Sequence, residues 1–165
     1  MTVKRLTSSD WQEYKKIRLE ALKNEPQAFG GSYNKENKRT ESEWQNKLAK
    51  SEDLNGTSFF YVTLKEGVFV AIGGAYQDNN KQWNIVSIYT KKEVRGQGLG
   101  QVILKSIINE LGARKIKKAY LCVNTLQIAA QALYKKNGFV IKQIIKDQLL
   151  GDGKYYDEVE MSIDL

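Results

Sequence analysis

The sequence predicts one α/β domain over residues 1–165, organised around a mixed sheet. Three observations carry this expectation. Runs rich in β-branched and aromatic residues alternate with amphipathic stretches of helical period. No repeat, low-complexity segment or Pro/Gly/Ser linker divides the chain. A length of 165 residues with 41% hydrophobic content supplies one sizeable core.

The elements follow in order. Residues 2–6 read as a short strand. Trp11, Tyr14, Ile17, Ala21 and Leu22 then fall at helical spacing, with Ser9 and Gln12, or Thr7 and Asp10, as the cap. Pro26, the only proline, ends that helix, and Gly30-Gly31 opens a flexible connection. Thr40 with Glu43 forms a capping box ahead of Trp44 and Leu48, which predicts a second short helix. Residues 58–64 and 68–76 are strand-like and meet at Lys65-Glu66-Gly67, a hairpin signal. Asp78-Asn79-Asn80-Lys81 turns the chain into a strand over 83–90. Leu99, Ile103, Leu104, Ile107, Ile108 and Leu111 mark a strongly amphipathic helix that stops at Gly112. A short apolar strand over 119–123 and a helix over 129–136 follow, with Gly138 as its stop. Strands over 139–149 and 155–163 flank the turn Gly151-Asp152-Gly153. The order β-α-α-β-β-β-α-β-α-β-β contains seven strands and four helices.

Composition narrows the functional classes. There is no histidine, and Cys122 is the sole cysteine, so an intramolecular disulfide is excluded and no metal site is expected. Residues 1–10 are mixed and polar, unlike a secretory signal, and no apolar run approaches the roughly 20 residues that cross a bilayer. A cytoplasmic protein without membrane partners is the expectation. The net charge of +7 raises the question of a polyanion. The lysines are dispersed among glutamates, and the densest cluster, Arg114-Lys115-Ile116-Lys117-Lys118, has no aromatic ladder beside it. Both features argue against nucleic acid and for a phosphorylated small molecule.

The chemistry-bearing segment is Arg95-Gly96-Gln97-Gly98-Leu99-Gly100 between a strand and a long helix. It is not a dinucleotide fingerprint, because Gln101 stands where the third glycine belongs, nor a P-loop, since no Gly-Lys-Ser/Thr follows. Alternating glycines let the backbone approach a ligand and aim successive amides at it. The helix N-terminus adds about half a positive charge. A pyrophosphate suits that place.

Residues 88–101 resemble the central motif of the GNAT superfamily of N-acetyltransferases, Gln/Arg-x-x-Gly-x-Gly/Ala. A second, independent segment, Ala130-Gln131-Ala132-Leu133-Tyr134-Lys135-Lys136-Asn137-Gly138-Phe139, is similar to the family's Ala-x-x-Leu-Tyr-x-x-x-Gly-Phe. Asp152-Gly153-Lys154-Tyr155-Tyr156 is similar to a segment of bacterial members. The resemblance implies a single GNAT-like domain with a mostly antiparallel sheet, splayed between strands 4 and 5. It also implies transfer of an acetyl group from acetyl-CoA, without a metal, to a primary amine in a ternary complex. Ile88, Tyr89 and Thr90 would pair with the pantetheine arm, and Arg95, Gly96, Gln97, Gly98, Leu99, Gly100 and Gln101 would hold the pyrophosphate. Asn124, Gln127 and Lys136 would make further contacts, and Tyr134 would be the general acid at the sulfur. Family members often carry Asn at the position of Gln127, and some carry a glutamate base at that of Cys122. A strand cysteine without a cationic neighbour is more often inert than nucleophilic.

Proton chemistry bears on the acceptor. A lysine-like amine of pKa about 10.4 is neutral in about 1 molecule in 2,500 at pH 7, a deficit of about 4.6 kcal/mol. With no base identified, a weakly basic amine is favoured. Glu36, Glu43, Asp78 and Glu160 are acidic candidates for the proton relay. Transfer of another acyl group and a non-catalytic acyl-CoA sensor are the alternative functions; a homodimer is compatible with the sequence.

Overall fold

The computed structural model describes residues 2–165. Seven strands form one sheet in the order β1-β2-β3-β4-β5-β7-β6. They are β1 (Thr2–Arg5), β2 (Ser58–Lys65), β3 (Val68–Gln77), β4 (Trp83–Thr90), β5 (Lys118–Asn124), β6 (Val140–Leu149) and β7 (Tyr155–Asp164). Every neighbouring pair is antiparallel except β4 and β5. The helices are α1 (Trp11–Asn24), α2 (Tyr33–Glu36), α3 (Glu41–Glu52), α4 (Leu99–Ala113) and α5 (Ile128–Lys136). No described helix is long and apolar enough to cross a membrane.

The sheet buries a core on each face. On one side Leu99, Ile103, Leu104, Ile107 and Leu111 of α4 pack with Leu121, Val123 and Met161. On the other, Tyr14, Ile17 and Leu22 of α1 and Trp44 and Leu48 of α3 pack with Phe60, Val62 and Ile72. Each such side chain contributes roughly 1.5–3 kcal/mol on burial, so the alternating strand pattern sets which face each helix covers. The predicted capping box on α3 is present: the Thr40 amide donates to Glu43 Oε2 at 2.6 Å, and the Glu43 amide to Thr40 Oγ1 at 3.3 Å.

Two features were not anticipated. The one-turn helix α2, capped by Ser32 Oγ accepting from the Lys35 amide at 3.3 Å, adds a fifth helix to the four expected. The Gly30-Gly31 connection is also not free. Gly31 lies against the buried pair Arg18–Glu36, where a Cβ would collide with the Glu36 carboxylate. The Gly151 amide donates to the Phe29 carbonyl at 2.7 Å, fastening the β6–β7 turn to the same loop.

The site is positioned by a divergence. β4 and β5 are in register only at Trp83↔Ala119 and Asn84↔Tyr120. Beyond them β4 runs on to Thr90 and β5 to Asn124 without pairing to each other. Within β4, the register to β3 passes from Ile72↔Tyr89 to Gly74↔Val86, a bulge at which Ser87 takes a φ of 62°.

Candidate active site

A cleft of about 730 Å³ occupies the gap between the diverging strands. One wall is β4, where Ile88, Tyr89 and Thr90 line the opening. Tyr89 and Thr90 are paired to β3 on one side and free of β5 on the other, so their strand edge faces the gap. The Tyr89 side chain is committed elsewhere: its hydroxyl donates to Glu20 Oε1 at 3.0 Å.

The phosphate-type loop closes one end. Its fixed point is Arg95, whose Nε donates to the Thr90 carbonyl at 3.1 Å and whose Nη2 pairs with Glu25 at 2.9 Å. Gly96 and Gly98 have φ of 79° and 77°, left-handed values that disfavour any other residue, and Gly98 caps α4. Gly100 is helical and follows Leu99, the first α4 residue. Among the described residues, no amide from Gly96 to Gln101 has a backbone or side-chain acceptor within the protein. Arg95, Gly96, Gly98, Leu99, Gly100 and Gln101 all line the cleft. Gln97 is exposed and does not, so its side chain plays no part in the wall.

The opposite wall comes from β5 and α5. Gln127, at the N-cap of α5, lines the cleft together with Lys136 and Tyr134. Asn124 departs from expectation. It is buried outside the lining, with Nδ2 donating to the Gln27 carbonyl at 3.0 Å and Oδ1 accepting from the Leu126 amide at 2.9 Å. Its amide is spent fastening β5 to the turn at Pro26–Ala28 and shaping the entry to α5, because a buried carboxamide takes the partners nearest to it. Tyr134 is buried against Phe139, with ring centroids 5.9 Å apart, and among the described residues its hydroxyl has no protein partner. Burial raises its phenol well above the ordinary value.

The carboxylates suggested by sequence are sorted by geometry. Glu36 is buried in a bidentate pair with Arg18, and Glu43 is held by the α3 cap. Asp78 accepts from the Asn80 and Gln82 amides in its turn, and Glu160 accepts from Gln143. The residue missed by sequence reading is Glu158. It faces Asn124 across the β5–β7 ladder, two residues from Glu160, which faces Cys122. Side chains two apart share a strand face, so Cys122, Glu158 and Glu160 form one group, and Cys122 lines the cleft. Glu158 is half-buried, its carboxylate has no hydrogen bond among the described residues, and burial raises that carboxyl above its ordinary value. Cys122 is exposed at the cleft, yet partial desolvation by its surroundings, with Glu158 and Glu160, pushes its thiol up to about 11, so the thiolate that a nucleophile needs is scarce at neutral pH. Only the β5–β7 register could have marked Glu158.

The sequence profile of the Acetyltransferase (GNAT) family matches residues 11–139. The chain belongs to that family. This acetyltransferase also shares its whole fold with solved structures. The ribosomal-protein-alanine N-acetyltransferase of Brucella melitensis superposes with a TM-score of 0.84 at 18% identity, covering 100% of both chains. The GNAT-family acetyltransferase of Streptococcus pneumoniae gives 0.83 at 22%, covering 99% of each. A phosphinothricin acetyltransferase from Sinorhizobium meliloti, solved in complex with AcCoA, gives 0.80 at 19%, over 99% of this chain and 88% of that one. No curated protein matches the sequence. In this acetyltransferase the splayed pair β4 and β5, the left-handed glycines and Tyr134 all border one cleft.

Proposed function

We propose that residues 1–165 act as one acetyl-CoA-dependent N-acetyltransferase unit that acylates a primary amine by direct attack in a ternary complex. The observation that carries this reading is the row of unpartnered amides from Gly96 to Gln101, in the cleft that Tyr134 also lines. Those amides, at a helix N-terminus, match a pyrophosphate in charge and geometry. The free edge of Ile88, Tyr89 and Thr90 matches an extended pantetheine arm, with Gln127 and Lys136 as contacts from the far wall. Asn124 supports the wall, and Gln97 contributes its amide alone.

Acetyl-CoA supplies the acetyl thioester. In the transfer the amine nitrogen forms a bond to the acetyl carbon, the carbon–sulfur bond breaks, and the nitrogen loses a proton. Glu158 is the proton acceptor in this reading, directly or through water, because its raised carboxyl value brings it nearer neutrality than an ordinary glutamate. Tyr134 donates a hydrogen bond to the departing sulfur. Its raised phenol value keeps the proton on oxygen until late in the step.

The test is a melting measurement followed by turnover. Acetyl-CoA is expected to raise Tm, since it binds the folded loop and not the unfolded chain, and a mixed amine panel read by mass spectrometry is expected to yield an N-acetyl product. No shift at millimolar acetyl-CoA overturns the cofactor assignment. Binding without transfer to any amine reduces the protein to a sensor. Glu158→Gln is expected to remove the acid limb of the kcat/KM–pH profile, where activity rises as the carboxyl ionises; an unchanged limb assigns the base elsewhere.

A further inference from the structure

A second and larger concavity, of about 1170 Å³, lies between helices α2 and α3 and the strands β2 to β4. It meets the cleft at Val86 and Ser87, residues that line both. Its walls carry Lys35, Lys38, Arg39, Lys47 and Lys50 against one carboxylate, Glu43, which is engaged in capping α3. Among the described residues none of the five cations forms a salt bridge. The positions of two are set by aromatic faces. Lys47 Nζ lies 5.6 Å and 5.4 Å from the ring centroids of Tyr14 and Phe60, and the Arg39 guanidinium 5.6 Å from that of Trp44. Glu36 attracts Arg39 and Lys47 but is itself committed to Arg18, and the excess of like charge that remains in the concavity favours an added anion.

The groove is the more basic of the two: it carries five cations and one carboxylate, against Arg95, Lys136 and Glu25 in the cleft. Behind the cleft wall, Glu158 and Glu160 stand on β7 beside Cys122, which alone of the three lines the cleft. A molecule with an anion at one end and an ammonium at the other would leave its anion in the groove and present its nitrogen past Val86 and Ser87 to the cleft.

Building on the N-acetyltransferase reading, we propose that the acceptor is a small zwitterionic amine, bearing a phosphate or carboxylate that the groove of Lys38, Arg39, Lys47 and Lys50 binds. An open groove bounded by two helices and a sheet, with its cations gathered in one place, suits a compact anion better than the long stripe that a polynucleotide tracks.

The test uses matched pairs differing in the anion: phosphoethanolamine with ethanolamine, phosphoserine with serine, glucosamine 6-phosphate with glucosamine, and aspartate with asparagine. The anionic member is expected to lead in kcat/KM by about tenfold or more in at least one pair, the scale of one charge-assisted hydrogen bond. That lead should shrink as salt is raised from about 50 to about 500 mM. The exposed double variant Lys38→Gln/Lys50→Gln, and separately Lys47→Gln, should lose it through KM while acetyl-CoA affinity stays at the parent value. The phosphate and carboxylate pairs distinguish the two anions. Neutral or cationic amines preferred throughout, or a lead unchanged in both variants, overturns the proposal while leaving acetyl transfer intact. Should none of these amines be acetylated, calorimetry on the CoA complex decides: no salt-sensitive binding of any anionic member also overturns it. Absence of acetyl-CoA binding is the separate failure, that of the underlying enzyme assignment.

Discussion

The cofactor cleft and the basic groove share Val86 and Ser87 but are made of different material. The cleft offers main-chain amides from one contiguous stretch, Gly96 to Gln101, and a strand edge from another. The groove offers side-chain charge from α3 and from the segment before it, held over aromatic rings of the core. A main-chain site tolerates substitution except where a glycine or a chemical group is indispensable. A side-chain site responds to each change of charge. The largest losses in the cleft should therefore come from very few positions.

Tyr134→Phe should have the largest effect, lowering kcat by about 10²–10⁴-fold, the usual contribution of a positioned acid. Acetyl-CoA affinity should hold, a transition-state loss with ground-state binding preserved. Since the hydroxyl has no protein partner, stability should change by less than about 1 kcal/mol, the net value of one hydrogen bond. Parent turnover in the variant, on a substrate whose chemical step limits the rate, would return Tyr134 to the role of a core aromatic.

Next is the ion pair that reaches Ser87, where the two regions meet. Arg18 holds Glu36 at 2.7 Å and donates to Ser87 Oγ at 3.4 Å, and both charges are buried. Arg18→Met strands the carboxylate and should cost about 3–5 kcal/mol in denaturant unfolding. Although burial alone would raise the Glu36 carboxyl, the Arg18 guanidinium holds it below its ordinary value. Its stabilising contribution is thus complete above the ordinary carboxylate range and disappears as pH falls through the lower, folded-state value. Glu36→Gln should flatten that acid loss, and an unchanged acid profile would show that other carboxylates govern it.

Smaller effects sharpen the division within the glycine loop. Gly98→Ala forces a side chain into the left-handed region and should cost about 1–2 kcal/mol of stability. At Gly100 an added Cβ meets only ordinary contacts, Leu133 Cδ2 at 3.4 Å and Thr90 Oγ1 at 3.6 Å. Gly100→Ala should leave the free protein's stability within about 0.5 kcal/mol of the parent, the span of a surface change. Equal losses from both would mean that left-handed backbone is not what selects glycine at 98. The smallest effect is expected from Cys122→Ser, which should retain parent turnover, since the thiol value near about 11 leaves little thiolate. Abolished activity there would point to an acyl-enzyme.

The order of strands and long helices was readable because local signals agreed with the final packing. The Thr40–Glu43 box, the α4 stripe and the glycine loop each act over a few residues. The partners of the Asn124 side chain, the Gln27 carbonyl and the Leu126 amide, were not readable because they depend on where the Pro26–Ala28 turn docks. The basic cluster at Arg114–Lys118 stood out in the sequence, yet Arg114 is absorbed by Glu110 and the Gly56 carbonyl, and Lys118 by Asp164. The cations that converge were those interleaved with glutamate between 35 and 50.

By itself the sequence determined the α/β order, the glycine-bounded start of α4 and the Leu133-Tyr134 segment, because each depends on backbone preference or periodicity within a single element. Only the tertiary structure decided how far β4 and β5 part, that Glu158 stands with Cys122, and which lysines gather around one groove. Those outcomes depend on strand register and on desolvation by distant segments. Charge acts through space, over distances that chain order does not encode.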